Sequence, residues 1–228
     1  MPGAGAPWTP LAIALLWAGA YLLGGIPVGW LMGRAAGVDL RHVGTGKIGT
    51  SNLFHTVGLL PAAFVGPAQF GQGLVPVLAA DLLGAPAWVA GGAGLAAVVG
   101  NGWPIYFRYN GGRGVGTATG AIFLWSPVGV AFVLLLLAVS GIGHRSGLGV
   151  LVAYLGLPAV LILARAPTAY AVIAVGILLC LVLRRFEGYY PLHKERRATQ
   201  DSFMRRLLDD WRPGPEVPDP GPPVNSRA

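Results

Sequence analysis

The sequence predicts an all-α fold, a polytopic membrane helix bundle of about seven transmembrane segments with its N-terminus outside and its C-terminus cytoplasmic. Three observations predict it. Of 228 residues, 54% are hydrophobic and 11% charged, with a mean hydropathy of +0.62, whereas soluble domains carry about 25% charged residues. Apolar runs recur along the chain at close to the roughly 20 residues that a spanning helix needs. Basic residues gather in alternate connections, the distribution that orients membrane proteins.

The first apolar run, residues 11–32, has no Lys or Arg ahead of it and continues through Ala18-Gly19-Ala20, so it reads as a retained span rather than a cleaved leader. A polar stretch, 34–55, is followed by apolar runs at 56–80, 85–107, 115–143, 147–164 and 167–183. At about 1.5 Å per residue the run 115–143 would reach about 44 Å, well beyond a hydrocarbon core of roughly 30 Å. Ser126-Pro127 divides it, because proline disfavours uninterrupted helix. That leaves 115–125 as a tilted or half-crossing helix.

With this division the inside connections carry Arg34, Arg41 and Lys47, then Arg108 and Arg113, then Arg145, then Arg184 and Arg185. The outside connections hold Asp81, no charge around Ser126, and Arg165. Six segments would instead turn Arg145 and the basic tail outward. Gly24-Gly25 and Gly91-Gly92-Ala93-Gly94 suit close approach of helix backbones. Cys180, the single cysteine, has no intrachain partner and reads as packing.

Residues 1–183 thus form one integral membrane domain, and 184–212 a basic cytoplasmic tail. Phe203, Met204, Leu207, Leu208 and Trp211 recur there at helical spacing, fitting either a short helix on the inner membrane surface or a solvated tail. Residues 213–228 are Pro-rich with nothing to pack and are expected to be disordered. The net charge of +7 and pI near 10.1 arise from basic residues scattered between apolar runs rather than drawn into a stripe with aromatics. That reads as membrane orientation, not nucleic-acid binding. Interior ionisable residues of the kind that mark an ion path are absent from the spans, which argues against a transporter.

Two glycine-rich polar segments fall on the same inner face. The first, Val43-Gly44-Thr45-Gly46-Lys47-Ile48-Gly49-Thr50-Ser51-Asn52, contains a formal GxGxxG, but no strand precedes it, so it is not a dinucleotide fingerprint, and its spacing is not that of a Walker loop. Glycines that turn successive N–H groups toward one point, beside hydroxyls and a lysine, can nevertheless hold a phosphate. In the second, residues 100–117, Gly111-Gly112-Arg113-Gly114 opens the following helix. Free N–H donors, the helix dipole and a guanidinium would converge there on an anion. Two anion-ready loops on one face point to a phosphorylated substrate meeting the membrane.

These residues resemble a known family. Gly25-Ile26-Pro27-Val28-Gly29, Gly37-Val38-Asp39-Leu40-Arg41 and Gly44-Thr45-Gly46-Lys47-Ile48-Gly49-Thr50-Ser51-Asn52 are similar to the opening of the bacterial acyl-phosphate:glycerol-3-phosphate acyltransferases of PlsY type. That family reads approximately GSIPFG, GVDIR and GSGNIGATN there. The second segment resembles its GHxFPVFxxFKGGKGVAT motif, in the same order and at a compatible distance. The resemblance runs from about residue 20 to 183 and marks a divergent member.

It implies a seven-helix, multi-pass enzyme of the bacterial cytoplasmic (inner) membrane that moves an acyl chain from acyl phosphate to the 1-hydroxyl of glycerol 3-phosphate, giving lysophosphatidic acid. It also implies no cofactor or metal, no acyl-CoA and no acyl-carrier protein. Carried over, the catalytic candidates are Arg113, His55 and Glu187. The substrate-binding candidates are Gly44, Thr45, Gly46, Lys47, Gly49, Asn52, Gly111, Gly112, Gly114 and Thr117. The acceptor's own phosphate is thought to help with its proton in this family.

Several positions depart from the pattern. Thr45 stands for serine, Lys47 for asparagine, His55 for arginine, Asn101 for histidine, Asn110 for lysine and Arg113 for lysine. The family's DxxKG appears as Gln69-Phe70-Gly71-Gln72-Gly73, without its charges, and of the late His-Arg-Glu-Asn-Ile only Glu187 has a counterpart. The second reading is therefore a catalytically degenerate member that binds lipid or phosphate.

Overall fold

The apolar runs become helices. The structure, a computed structural model, describes residues 8–44, 47–142 and 146–186. In chain order these form α1 (Pro10–Gly25), α2 (Val28–Ala35), α3 (Thr50–Thr56), α4 (Leu59–Leu82), α5 (Ala87–Gly102), a 3-10 turn (Ile105–Phe107), α6 (Val115–Ile122), α7 (Pro127–Ile142), α8 (Ser146–Leu163) and α9 (Thr168–Phe186). No strand occurs among the described residues. Three stretches, Pro10–Ala35, Leu59–Leu82 and Thr168–Arg185, are long and apolar enough to cross a membrane. The expected interfacial helix and Pro-rich tail lie outside the described residues.

The proline break falls where the sequence places it. Ser126 caps α7 by accepting a 3.2 Å hydrogen bond from the Gly129 N–H, with Pro127 at the first helical position. The preceding α6 has eight residues and spans about 12 Å, less than half of a hydrocarbon core.

The first run, read as one span, is interrupted at Ile26-Pro27. Pro27 has no N–H to offer the Leu23 carbonyl four residues back. The Gln72 amide, from α4, donates to Leu23 O at 3.0 Å and to Ile26 O at 2.8 Å. A buried glutamine thus closes the backbone that the proline opens, as an apolar surround requires.

Glycines set the helix contacts. A Cβ on Gly73 would overlap the Thr117 carbonyl and one on Gly120 the Phe70 carbonyl, so α4 and α6 cross at backbone distance. Gly24 and Gly100 do the same for α1 and α5, against Ala97 and Tyr21. With α5 also taking Ile173 against Gly91 and Ala121 against Gly94, it sits among α1, α4, α6 and α9. Such contacts replace the hydrophobic force that lipid does not supply between helices. Gly120→Ala is expected to destabilise the protein by about 1–3 kcal/mol or more, read as a lower unfolding temperature in detergent.

The main core joins Val98, Ala121, Trp125, Tyr154, Leu157 and Ile177. Tyr154 of α8 is fully buried and hydrogen bonds the Thr119 hydroxyl of α6 at 3.0 Å, while Trp125 stacks on Tyr170 at 4.8 Å. Leu60, Phe64, Leu135, Leu155, Ile162 and Val172 point outward and are exposed, the surface that acyl chains cover in a membrane protein.

Candidate functional site

The second glycine segment lies against the chain that leads into the first. Trp30, on α2, stands edge-on to Phe107 of the second segment at 4.9 Å, and the Arg41 guanidinium lies 5.7 Å from one ring centre and 5.8 Å from the other. Arg41 is fixed in turn by Asp39, through Nε–Oδ1 at 2.9 Å and Nη2–Oδ2 at 2.6 Å. Those hydrogen bonds outweigh desolvation and hold the Asp39 carboxyl well below the usual carboxylate range. A depressed pKa contributes stability above the unfolded value of about 4 and loses it only as pH falls through the folded one. The pair therefore stays intact through neutral pH.

The first loop is shaped by Asn52. This side chain is 2% exposed, and its Nδ2 donates to the carbonyls of Leu40 (3.1 Å), Val43 (3.1 Å) and Lys47 (2.9 Å). Gly44 is left-handed (φ +56°), and a Cβ there would overlap Asn52 Oδ1. Gly29 similarly leaves room for the Ile48 carbonyl. Beneath the loop Leu40, Ile48, Leu53 and Val65 form a small core of their own. Lys47 is half-buried, and a Cβ added at Gly49, the residue before α3, would meet nothing. His55 stands on α3, edge-on to Phe54 at 5.1 Å.

Gln69 lies where the helices that follow the two loops begin. Its Oε1 accepts from the Thr50 hydroxyl at 2.9 Å at the start of α3, and its side chain packs beside Gly116 at the start of α6. The starts of the two helices thus converge on Gln69. Gln69 and Gln72, which stand where the resembled family has charges, are both buried and hydrogen bonded in the framework.

The second loop corrects one expectation. The N–H groups of Gly111 and Gly112 donate to Gly102 O (3.1 Å) and Asn101 O (3.0 Å) at the end of α5, so they are not the free donors the sequence suggests. Their carbonyls are taken as well, by Arg184 of α9, with Nη2 to Gly111 O at 2.8 Å and Nε to Gly112 O at 3.2 Å. The two glycines shape the loop, their N–H and carbonyl groups being spent within the protein. Arg113 is partly exposed, and Gly114 (φ +80°) turns the chain into α6 in a conformation that suits glycine.

Thr117 has no exposed surface; its backbone carbonyl lies at the crossing with α4, and its buried hydroxyl has no hydrogen-bond partner among the described residues. Thr45, Gly46 and Glu187 lie outside the described residues.

Sequence reasoning places Arg184 at the start of the basic cytoplasmic tail and misses its burial. It reads Gln69 and Gln72 only as lost charges. A signal for the glutamines is present in the sequence, because a polar side chain within an apolar run needs a partner inside the protein. Chemically, an arginine at the start of a helix is an arrangement that suits an anion.

Comparison with known proteins gives the family. The family profile described as glycerol-3-phosphate acyltransferase matches residues 14–189. A glycerol-3-phosphate acyltransferase of Rubrobacter xylanophilus is 40% identical over 156 residues, covering 68% of this chain and 78% of its own. One from a Synechococcus species is 38% identical over 167 residues, covering 72% and 84%.

Among solved structures, the glycerol 3-phosphate form of PlsY, an integral membrane glycerol 3-phosphate acyltransferase, superposes with a TM-score of 0.71 at 31% identity, covering 76% of this chain and 88% of that one. Its lysophosphatidic acid form gives 0.70 at 30%, covering 77% and 89%. The chain belongs to the glycerol-3-phosphate acyltransferase family.

Proposed function

We propose that the protein transfers an acyl group from acyl phosphate to the 1-hydroxyl of glycerol 3-phosphate, releasing lysophosphatidic acid and inorganic phosphate, as a step in phospholipid synthesis. The observation that carries this reading is the convergence of the α3 and α6 starts on Gln69, with Arg113 at the mouth of α6, in a chain of this family. Arg113 and the α6 dipole hold the acceptor's phosphate, and Lys47 adds positive charge from the first loop. Asn52, Gly44 and Gly49 give that loop its shape.

In the reaction the acceptor oxygen bonds to the acyl carbonyl carbon, and the bond from that carbon to the bridging phosphate oxygen breaks. The hydroxyl proton passes to His55, to Glu187 or to the acceptor's own phosphate. Fixed positive charge stabilises the tetrahedral state. The donor is lipidic and enters from the bilayer between helices, while the acceptor arrives from the cytoplasm.

The same reading gives seven membrane segments, α1–α2, α4, α5, the short α6, α7, α8 and α9, in a multi-pass protein of the bacterial inner membrane with its N-terminus outside. The membrane domain runs to the end of α9 at Phe186, past the boundary at 183 that the sequence suggests, because Arg184 is buried in the last turn of that helix, and a cytoplasmic tail follows. Gln69 and Gln72, read as lost charges, hydrogen bond within the framework, Gln69 to Thr50 and Gln72 through its amide N–H groups to α1, which weakens the argument for a degenerate member that they and Asn110 raise.

The test is direct. Purified protein in lipid is given long-chain acyl phosphate and glycerol 3-phosphate, with acyl-CoA and acyl-carrier protein as parallel donors, and lysophosphatidic acid is measured. Product from acyl phosphate alone is expected. No product from well-folded protein, where an authentic family member works, would sink the proposal and leave the binding role.

A further inference from the structure

Arg184 is built into the protein rather than turned to the headgroups. It lies at the end of α9, in the last turn, where a basic residue ordinarily snorkels into the interface. Instead it is 3% exposed. Its guanidinium lies 5.4 Å from the Trp103 ring centre, and its stem runs past Gly102, where an added Cβ would come within 3.1 Å of Arg184 Cγ.

The Gly111-Gly112 pair is consequently held on both edges, its N–H groups by α5 and its carbonyls by Arg184. A strand of two glycines has wide conformational freedom, and the next residue is Arg113. Whatever fixes the glycines fixes where the Arg113 side chain and the first turn of α6 point.

We propose that Arg184 is a positioning residue for acceptor binding, a two-pronged clamp from the last helix that sets the Gly111-Gly112 backbone and so aims Arg113 at the acceptor's phosphate. The inference rests on the phosphate reading of Arg113. A lysine is a point charge and does not reproduce two directed bonds to successive carbonyls. The clamp holds the loop that carries Arg113, so its loss is expected to act on one substrate.

The experiment uses the full chain in lipid, with KM for glycerol 3-phosphate, KM for acyl phosphate, kcat and unfolding temperature measured for Arg184→Lys, Arg113→Ala and the double variant. Arg184→Lys is expected to raise the acceptor KM about ten-fold while the donor KM stays within about two-fold. In the double variant the acceptor KM is expected to match that of Arg113→Ala, since the clamp acts through Arg113.

Gly102→Ala keeps the guanidinium but crowds its stem, and provides the same reading if Arg184→Lys does not fold; its acceptor KM is expected to rise selectively. Equal changes in both KM values, a change in unfolding temperature alone, or full additivity with Arg113→Ala would overturn the clamp. An acceptor KM raised in Arg113→Ala but unchanged in Arg184→Lys and Gly102→Ala overturns the clamp alone. An unchanged acceptor KM in Arg113→Ala overturns the phosphate reading and the clamp together.

Discussion

Arg113→Ala is expected to raise the KM for glycerol 3-phosphate by about ten- to a hundred-fold, the equivalent of about 1.5–3 kcal/mol for one charge-assisted bond to phosphate. The residue follows two glycines whose polar groups are already spent on α5 and α9. The loop itself therefore has little to substitute for the guanidinium. Arg113→Lys keeps the charge without the fork and should restore most of the loss. Steady-state kinetics at varied acceptor concentration in proteoliposomes checks both variants. Wild-type kinetics in Arg113→Ala would remove the residue from the site.

Asn52→Ala should be the more damaging change, because it strikes fold and site together. Three carbonyls, of Leu40, Val43 and Lys47, lose their shared donor inside a loop whose centre is buried. Leaving buried acceptors unpaired costs about 1–3 kcal/mol, so a lower unfolding temperature is expected. A fall in kcat/KM of at least about a hundred-fold should accompany it, as small displacements of positioning groups bring losses of this size. Asn52→Asp should be worse than alanine, since it sets a carboxylate among three carbonyl oxygens. Retained activity in a folded Asn52→Ala protein would show that the loop does not depend on these three bonds.

Much of this arrangement is legible in the order of residues. The break at Ser126-Pro127, the glycine segments and the helix after Gly114 all follow from local rules, because proline and glycine act through the backbone at their own positions. The interruption at Ile26-Pro27 is harder to read. Val28 and the residues after it remain apolar, and the carbonyls freed there are satisfied by Gln72, 46 and 49 residues away. Gln69 and Gln72 look like losses when set beside the family's charged pattern, yet buried amides bond the starts and ends of other helices.

The sequence by itself determined that the chain is a helical membrane protein, that it carries two glycine-rich polar loops, and which family it resembles, because hydropathy, composition and motif order are all written locally. Only the tertiary structure decided which groups in those loops remain for a ligand. Gly111 and Gly112 carry N–H and carbonyl groups whatever the fold, but their partners come from α5 and from Arg184, 73 and 72 residues on. Buried backbone N–H and carbonyl groups need partners, and that pairing is settled by which helices pack together.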